Sequence, residues 1–491
     1  MNTNSELDHI VSTWLAGRAV DAPPDSLRVA LARAEQTPQQ RHRWLPSWSS
    51  RDRDGAATAP SARDTDTSPN RRNRAMPVFS AVATGVAVIS IVGTFAILQG
   101  TADPMPQPPA AAATHSVAAV GGDFATITEA VAAVQEGDTI LVEPGTYEEA
   151  FAIEADITIA GAGAEPRDTV IIIPPGAPSP AAPIGPLHAE VPAFDASPLP
   201  SVGIQLLDTA AVLQNLEIMG HDDGVAVLVR GGTPSFEDVV IRHGGERDVN
   251  AVLAGGLVVD DAAVLSVLRG QLWSRLQVDE ASTLVLDDAL LQWPRLVVQG
   301  GSQVEIRGGT VFGSDGPPIV VIDDGSLRAE GTEFVQGGVH VVGTEDATAF
   351  ATITDSSFAS APLHAVHVDG GAGALLERDT FTDSHIAVAV GGADVVVRDS
   401  VFLSNQTALE LDRAGGEYVR NDIDAGDIGI HVKEGGEPIV RDNTVDDANL
   451  RGIIIGAGSR PSVDGNRLCG NRIDIHIEPD AEPVLGDNET C

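Results

Sequence analysis

A period of about 22 residues limits what this chain can fold into more than any other feature. The C-terminal part reads GIHVKEGGEPIVRDNTV (429–445), GIIIGAGSRPSVDGNRL (452–468) and DIHIEPDAEPVLGDNET (474–490). Pro438, Pro461 and Pro483 recur at intervals of 23 and 22 residues, and Asn443, Asn466 and Asn488 recur at the same intervals. Apolar positions align with them: Val368, Val390, Leu411, Val432, Ile455 and Ile477, each with a partner two residues earlier (Val366, Val388, Leu409, Ile430, Ile453, Ile475). The pattern continues more weakly upstream through Leu206, Val229, Leu257/Val259, Leu276/Val278, Leu296/Val298 and Val339/Val341.

Short alternating apolar runs separated by glycine turns at this period predict an all-β parallel solenoid, with one coil per repeat. Each coil would stack about 4.8 Å above the last, and thirteen or so coils after residue 200 would extend roughly 60 Å. No coil can bury its own apolar face, so stability must come from the stack. Asn443, Asn466 and Asn488 are placed to form an internal amide ladder at a bend. Cys469 and Cys491, the only cysteines, are 22 residues apart in the same register. Stacked Cα atoms about 5 Å apart lie within disulfide reach, and we expect that bond to pin the terminal coil.

The opening of the repeat region, GGDFATITEAVAAVQEGDTILVEPGTYEEAFAIEADITIAGAG (121–163), reads differently. Thr126 and Glu129 predict a capping box. Ile127, Ala130, Val131 and Val134 would share one helical face, with Gly137 as the C′ glycine. EPGTY would then turn the chain, and short strands follow around Ile140–Val142, Phe151–Ile153, Ile157–Ile159 and Val170–Ile173. We expect this N-terminal helix to cap the open end of the stack. Residues 174–200, rich in Pro and Ala, cannot join a ladder and are expected to form a loop insertion.

Residues 76–98 are 23 uncharged, mostly apolar residues, long enough to span a bilayer. Arg71, Arg72 and Arg74 flank them on one side and Asp103 on the other. The positive-inside rule predicts a single-pass membrane protein with a cytoplasmic N-terminus and an extracytoplasmic C-terminal domain. The expected organisation is a cytoplasmic segment at 1–74 (two short helices, then a disordered stretch), a transmembrane helix at 75–99, a Pro/Ala linker at 100–116 and the solenoid at 117–491.

The net charge of −40 is uneven. Residues 1–74 carry 11 Arg and 9 acidic residues, and the remainder carries 19 basic and 61 acidic residues. An acidic solenoid excludes nucleic acid as a partner. Lys433 is the only lysine, which leaves almost no scope for lysine chemistry.

The run DFATITEAVAAVQEGDTILVEPGTYEE (123–149) and the coil pattern GIHV…PIVRDNTV resemble right-handed parallel β-helix proteins of the pectin-lyase-like fold, in the carbohydrate-binding and sugar-hydrolase repeat group. The resemblance covers about residues 117–491 and implies a polysaccharide-related role outside the cytoplasm. That group contains esterases, lyases, galacturonases and epimerases, and members without known activity. The catalytic patterns of these enzymes are absent. GGDFAT does not match the esterase DFIFG-like segment, DNTVDD (442–447) has the wrong order for the galacturonase NTD motif, and no histidine lies between glycines. Carboxylate pairs at Asp222–Asp223, Asp260–Asp261, Asp287–Asp288, Asp323–Asp324 and Asp446–Asp447 could hold calcium, but their spacing suits turns. No Ser-His-Asp order, phosphate loop or Cys/His metal spacing appears. We therefore expect no resident cofactor or metal and assign no catalytic residue.

One surface column remains as a candidate site. Outward positions between the apolar pairs are His340, His367, Ala389, Glu410, His431, Ile454 and His476. A carboxylate beside an imidazole can tune a proton-transfer group or hold a metal. Three functions stay open: a non-catalytic tethered rod that binds a glycan, envelope polymer or surface protein; a polysaccharide lyase, esterase or hydrolase with a divergent site; and a transmembrane sensor whose N-terminal segment meets a cytosolic partner.

Overall fold

The computed structural model describes residues 111–175, 201–221, 224–243, 256–292, 295–313, 318–344 and 348–491, all within one compact unit, Ala102–Cys491. The expected cytoplasmic segment and span at 76–98 lie outside the described residues, as do 176–200 of the expected insertion. No described helix is long and apolar enough to cross a membrane.

The described residues form an all-β, right-handed parallel solenoid. Alternation of apolar and polar residues over three to six positions gives short strands, and each coil lays up to three of them on three faces. The first face is a 16-stranded sheet running from Thr114–Val117 to Val484–Leu485. The second and third faces join into one 27-stranded sheet, because Val401–Asp412 and Asp422–Val432 run on through the corner between them.

The register places like on like. On the first face Leu265 and Val267 stack on Leu284 and Leu286, then Val304 and Ile306, then Leu327 and Ala329. On the third face Leu206 pairs with Val229, Val259, Val278, Val298, Val321 and Val341 in turn. All are buried in one continuous core. The coil at Ile319–Val321 is absent from the sequence-derived columns. Its third-face strand is only three residues long and follows Pro317 and Pro318, which mask the alternation.

The first corner shows why Asp and Asn recur after the first-face strand. From Asn215 to Gly465 each coil places a residue there in the left-handed conformation, including Asp238, Asp288, Asp355, Asp399 and Asp442 at φ between 49° and 56°. Asp and Asn tolerate that region better than most residues with a side chain, and Gly308 and Gly465 fill the same role at 64° and 66°.

The residue after this turn points inward and forms a polar ladder. Thr332 N–H donates to Ser356 Oγ, Ser356 N–H to Asp379 Oδ1, Asp379 N–H to Ser400 Oγ and Ser400 N–H to Asn421 Oδ1. Asn421, Asn443 and Asn466 each donate both N–H and Nδ2–H to the Oδ1 of the next member, ending at Asn488. Their amides also donate to main-chain carbonyls at Val397, Tyr418 and Val440. Cys469 and Cys491 are disulfide-bonded with Cα atoms 4.7 Å apart.

At the N-terminal end the structure departs from several expectations. The solenoid begins with a strand at Thr114–Val117, which starts within the stretch expected to be linker, 100–116. Helix α1 spans Ile127–Ala133, with Thr126 Oγ1 accepting from Glu129 N–H at 3.1 Å. Glu129 returns its bond to Ala125 N–H, not to Thr126. The helix ends before Val134, and Gly137 is not its C′ residue. Asp138 takes the N–H of Gln135 and of Ala113, which fixes an extended exit there. The expected turn at EPGTY is in part a strand, Gly145–Glu148, with Tyr147 buried. Glu149 reaches back and accepts from Ile127 and Thr128 N–H, satisfying two free donors of α1.

Candidate functional site

The outward residues of the third face form one column through the stack. Leu228, Val258, Gln277, Val297, Val320, His340, His367, Ala389, Glu410, His431, Ile454 and His476 are successive register partners. The column changes character along its length. Leu228, Val258, Val297 and Val320 are buried although they lie on the outer side of the sheet. From His340 onward the polar members are half-exposed.

His340 and His367 stack with ring centroids 4.5 Å apart and planes 11° from parallel. His364 tilts onto His367 at 4.7 Å. Asp369 joins them: its Oδ2 lies 3.1 Å from His340 Nε2 and 3.5 Å from His367 Nε2. The three side chains are 26–31% exposed, so the group is accessible without being fully solvated.

Further along, Glu410 and His431 are register neighbours, but the Glu410 carboxylate accepts from Lys433 Nζ at 2.6 Å. His476 is set apart by the buried Ile454. The column thus brings His340 and His367 together, ties Glu410 to the sole lysine and leaves His476 outside the cluster.

Burial governs the imidazoles. It pushes His364 down to about 4, with His367 adding to the effect and Glu410 opposing it. Burial also holds His367 below its ordinary value, aided by His340 and opposed by Asp369. His431 is lowered by burial and then by Lys433. These three rings are neutral at pH 7.

Sequence reasoning missed Asp369, His364 and Lys433. The period-two rule contains the missing signal, because residues two apart on a strand share its outer side. Asp369 follows His367 and Lys433 follows His431 at that spacing. At the corner between the second and third faces lies an open cleft of about 530 Å³. Ser360, Asp383, His385, Ser404, Gln406 and Asp427 contribute to its lining.

The carboxylate pairs behave as turn residues. Asp261, Asp288, Asp323, Asp324 and Asp447 all have positive φ, and Asp260 pairs with Arg230 at 3.0 Å. Asp222–Asp223 lies outside the described residues. Among the described residues, one set of three possible ligand side chains converges within 4.8 Å: His340, His367 and Asp369.

Residues 337–488 match the family model described as the right handed beta helix region. No curated protein matches the sequence. Solved structures similar to this one include pectin methylesterase PemA from Erwinia chrysanthemi, at 13% identity over 50% of this chain and 78% of that chain, with a TM-score of 0.27. The periplasmic alginate epimerase AlgG is 10% identical over 72% of this chain and 77% of that chain, with a TM-score of 0.30. Tailspike protein 3 of bacteriophage CBA120 is 14% identical, with a TM-score of 0.40; the match covers 73% of this chain and 57% of the tailspike. Likeness of this extent assigns neither a substrate nor a reaction. The stacked parallel coils form a right-handed parallel β-helix, and residues 337–488 of it match the family model for that region.

Proposed function

We propose that the protein is a membrane-tethered, extracytoplasmic β-helix that binds a polysaccharide or another extended polymer without cleaving it. The observation that carries this reading is the polar cleft at Ser360–Asp427 beside a half-exposed column repeating at coil spacing. Hydroxyl, amide, imidazole and carboxylate groups at a regular rise suit a ligand that repeats along its own axis. The ligand is neutral rather than polyanionic, because residues 75–491 carry 61 acidic against 19 basic groups. The apolar run 76–98 supports the tether, and the arginines before it support an extracytoplasmic rod. Helix α1, packed on the first coils at the N-terminal end, acts as the end cap.

A second reading is favoured by one contact. The Asp369–His340 bond is the kind of pair that orients an imidazole for proton transfer, as a polysaccharide-active enzyme would need. A single experiment addresses both readings. The full chain is screened on neutral and acidic polysaccharides, with and without calcium, for retention and for release of reducing or unsaturated ends. Retention without release supports the binding rod, release supports the enzyme, and no retention on any polymer overturns both. The sensor reading is tested separately, by capture of a cytosolic partner through residues 1–74 of the full chain.

A further inference from the structure

We propose that His340, His367 and Asp369 form a binding site for one first-row divalent transition ion, with zinc as the simplest occupant. Ligand atoms about 2.0–2.1 Å from a tetrahedral zinc lie roughly 3.3 Å from one another. Asp369 Oδ2 is 3.1 Å from His340 Nε2 and 3.5 Å from His367 Nε2, and all three ligand atoms fall within 4.8 Å. The two rings are stacked, so for one ion to touch all three ligand atoms the imidazoles must tilt until both ring planes converge on it.

The donor set selects the class of ion. Two imidazole nitrogens and one carboxylate oxygen suit zinc, iron, cobalt or nickel. Calcium and magnesium prefer shells made of oxygen, which this group does not offer.

The backbone pre-organises the group. His340 and His367 are direct register partners on adjacent parallel strands, and Val342 opposite Asp369 completes the same pairing. The ladder therefore sets the ring spacing, and the alternation of the strand sets Asp369 on the same outer side as His367. In the absence of an ion, two imidazoles contend for one carboxylate oxygen. A cation between them would give each nitrogen a lone-pair acceptor and the carboxylate its counter-charge. Partial exposure leaves coordination positions open to water or to a bound ligand. The site goes beyond the polymer-binding reading and does not depend on it.

The test uses the full chain, stripped with a chelator and titrated with zinc and, separately, with cobalt. Calorimetry reads stoichiometry and affinity, and the visible cobalt bands read coordination. We expect one equivalent per chain and loss of affinity by about 100-fold or more in His367→Ala and Asp369→Asn, since even outer-shell changes cost 10–100-fold. Asp369→Glu, which keeps a carboxylate, should recover part of the affinity, and His115→Ala at the far end of the first face should bind as the parent does. Circular dichroism and metal-free melting verify that each variant is folded, and bound zinc should raise the melting temperature of the parent and of His115→Ala but not of His367→Ala or Asp369→Asn. The proposal is overturned if the parent shows no saturable binding, if folded His367→Ala and Asp369→Asn both bind as the parent does, or if calcium displaces zinc.

Discussion

The coils before Gly309 and those after Thr332 share a backbone and fill it by different means. At the first corner the earlier coils place Leu216, Val239, Gly270, Ala289 and Gly309 inward, whereas the later ones place the ladder that begins at Thr332 and ends at Asn488. Inside the second face the earlier column is aliphatic, through Ile241, Leu272, Leu291 and Val311. The later column opens with Phe334, Phe358, Phe381 and Phe402, stacked at 4.4–4.9 Å. Outside the third face, buried Val297 and Val320 give way to His340 and His367. All three columns switch within one coil, close to the start of the family match at 337. The lesson is that a β-helix backbone fixes spacing and leaves each column free to choose its chemistry, provided that neighbours choose together.

The largest effect should come from the aromatic stack. Phe381→Ala removes the ring between Phe358 and Phe402 and should cost about 3–5 kcal/mol in urea unfolding. Next is the amide ladder. Asn443→Ala strands the N–H and Nδ2–H of Asn421 and should cost about 2–4 kcal/mol. The reciprocal change, Ala289→Asn, puts an amide in the same column where no ladder exists and should cost about 1–3 kcal/mol. If Ala289→Asn proved neutral, the distinction between the two halves would fall.

Asp379 tests the ladder from within. It is fully buried, Oδ1 accepts from Ser356 N–H, and Oδ2 has no hydrogen-bond partner. Burial pushes it up to about 8 from 3.8, against the opposing backbone bonds. Folding therefore favours its protonated form. That contribution is complete below about pH 3.8 and is lost as the pH rises through about 8. Asp379→Asn, which continues the asparagine pattern, should stabilise the chain by about 2–4 kcal/mol at pH 8 and very little at pH 4. Melting curves of parent and variant across that range check the sign, and equal gaps at both ends would refute it.

The smallest effect should be at the exposed outer corner. Arg420 makes a bidentate pair with Asp399 at 2.7 Å, which holds the carboxyl below its usual range. Both groups face water, and Arg420→Ala should leave the melting temperature unchanged within error at 0.15 M salt.

Much of this was legible in the sequence because stacking forces like residues to recur. The period, the inward pairs and the outward histidine column all follow from alternation and a fixed repeat length. What remained hidden depends on contacts that the repeat does not encode. Glu149 caps α1 from 22 residues away along the chain, and the Phe stack needs no more signal than four apolar residues in phase. Asp379 looks like an ordinary turn aspartate until the ladder places it inside. At the candidate site the column was visible, and the convergence of Asp369 on two rings was not.

The sheet has a consequence for any repeating ligand. Coils built on one backbone give a nearly constant spacing at every level, so a periodic polymer could shift by one repeat and keep its match to that spacing. Among the described residues, the His340–His367–Asp369 group occurs at one place along the stack, and it removes that degeneracy. It would act as the zero mark on a ruler, setting which unit of the chain lies against which coil.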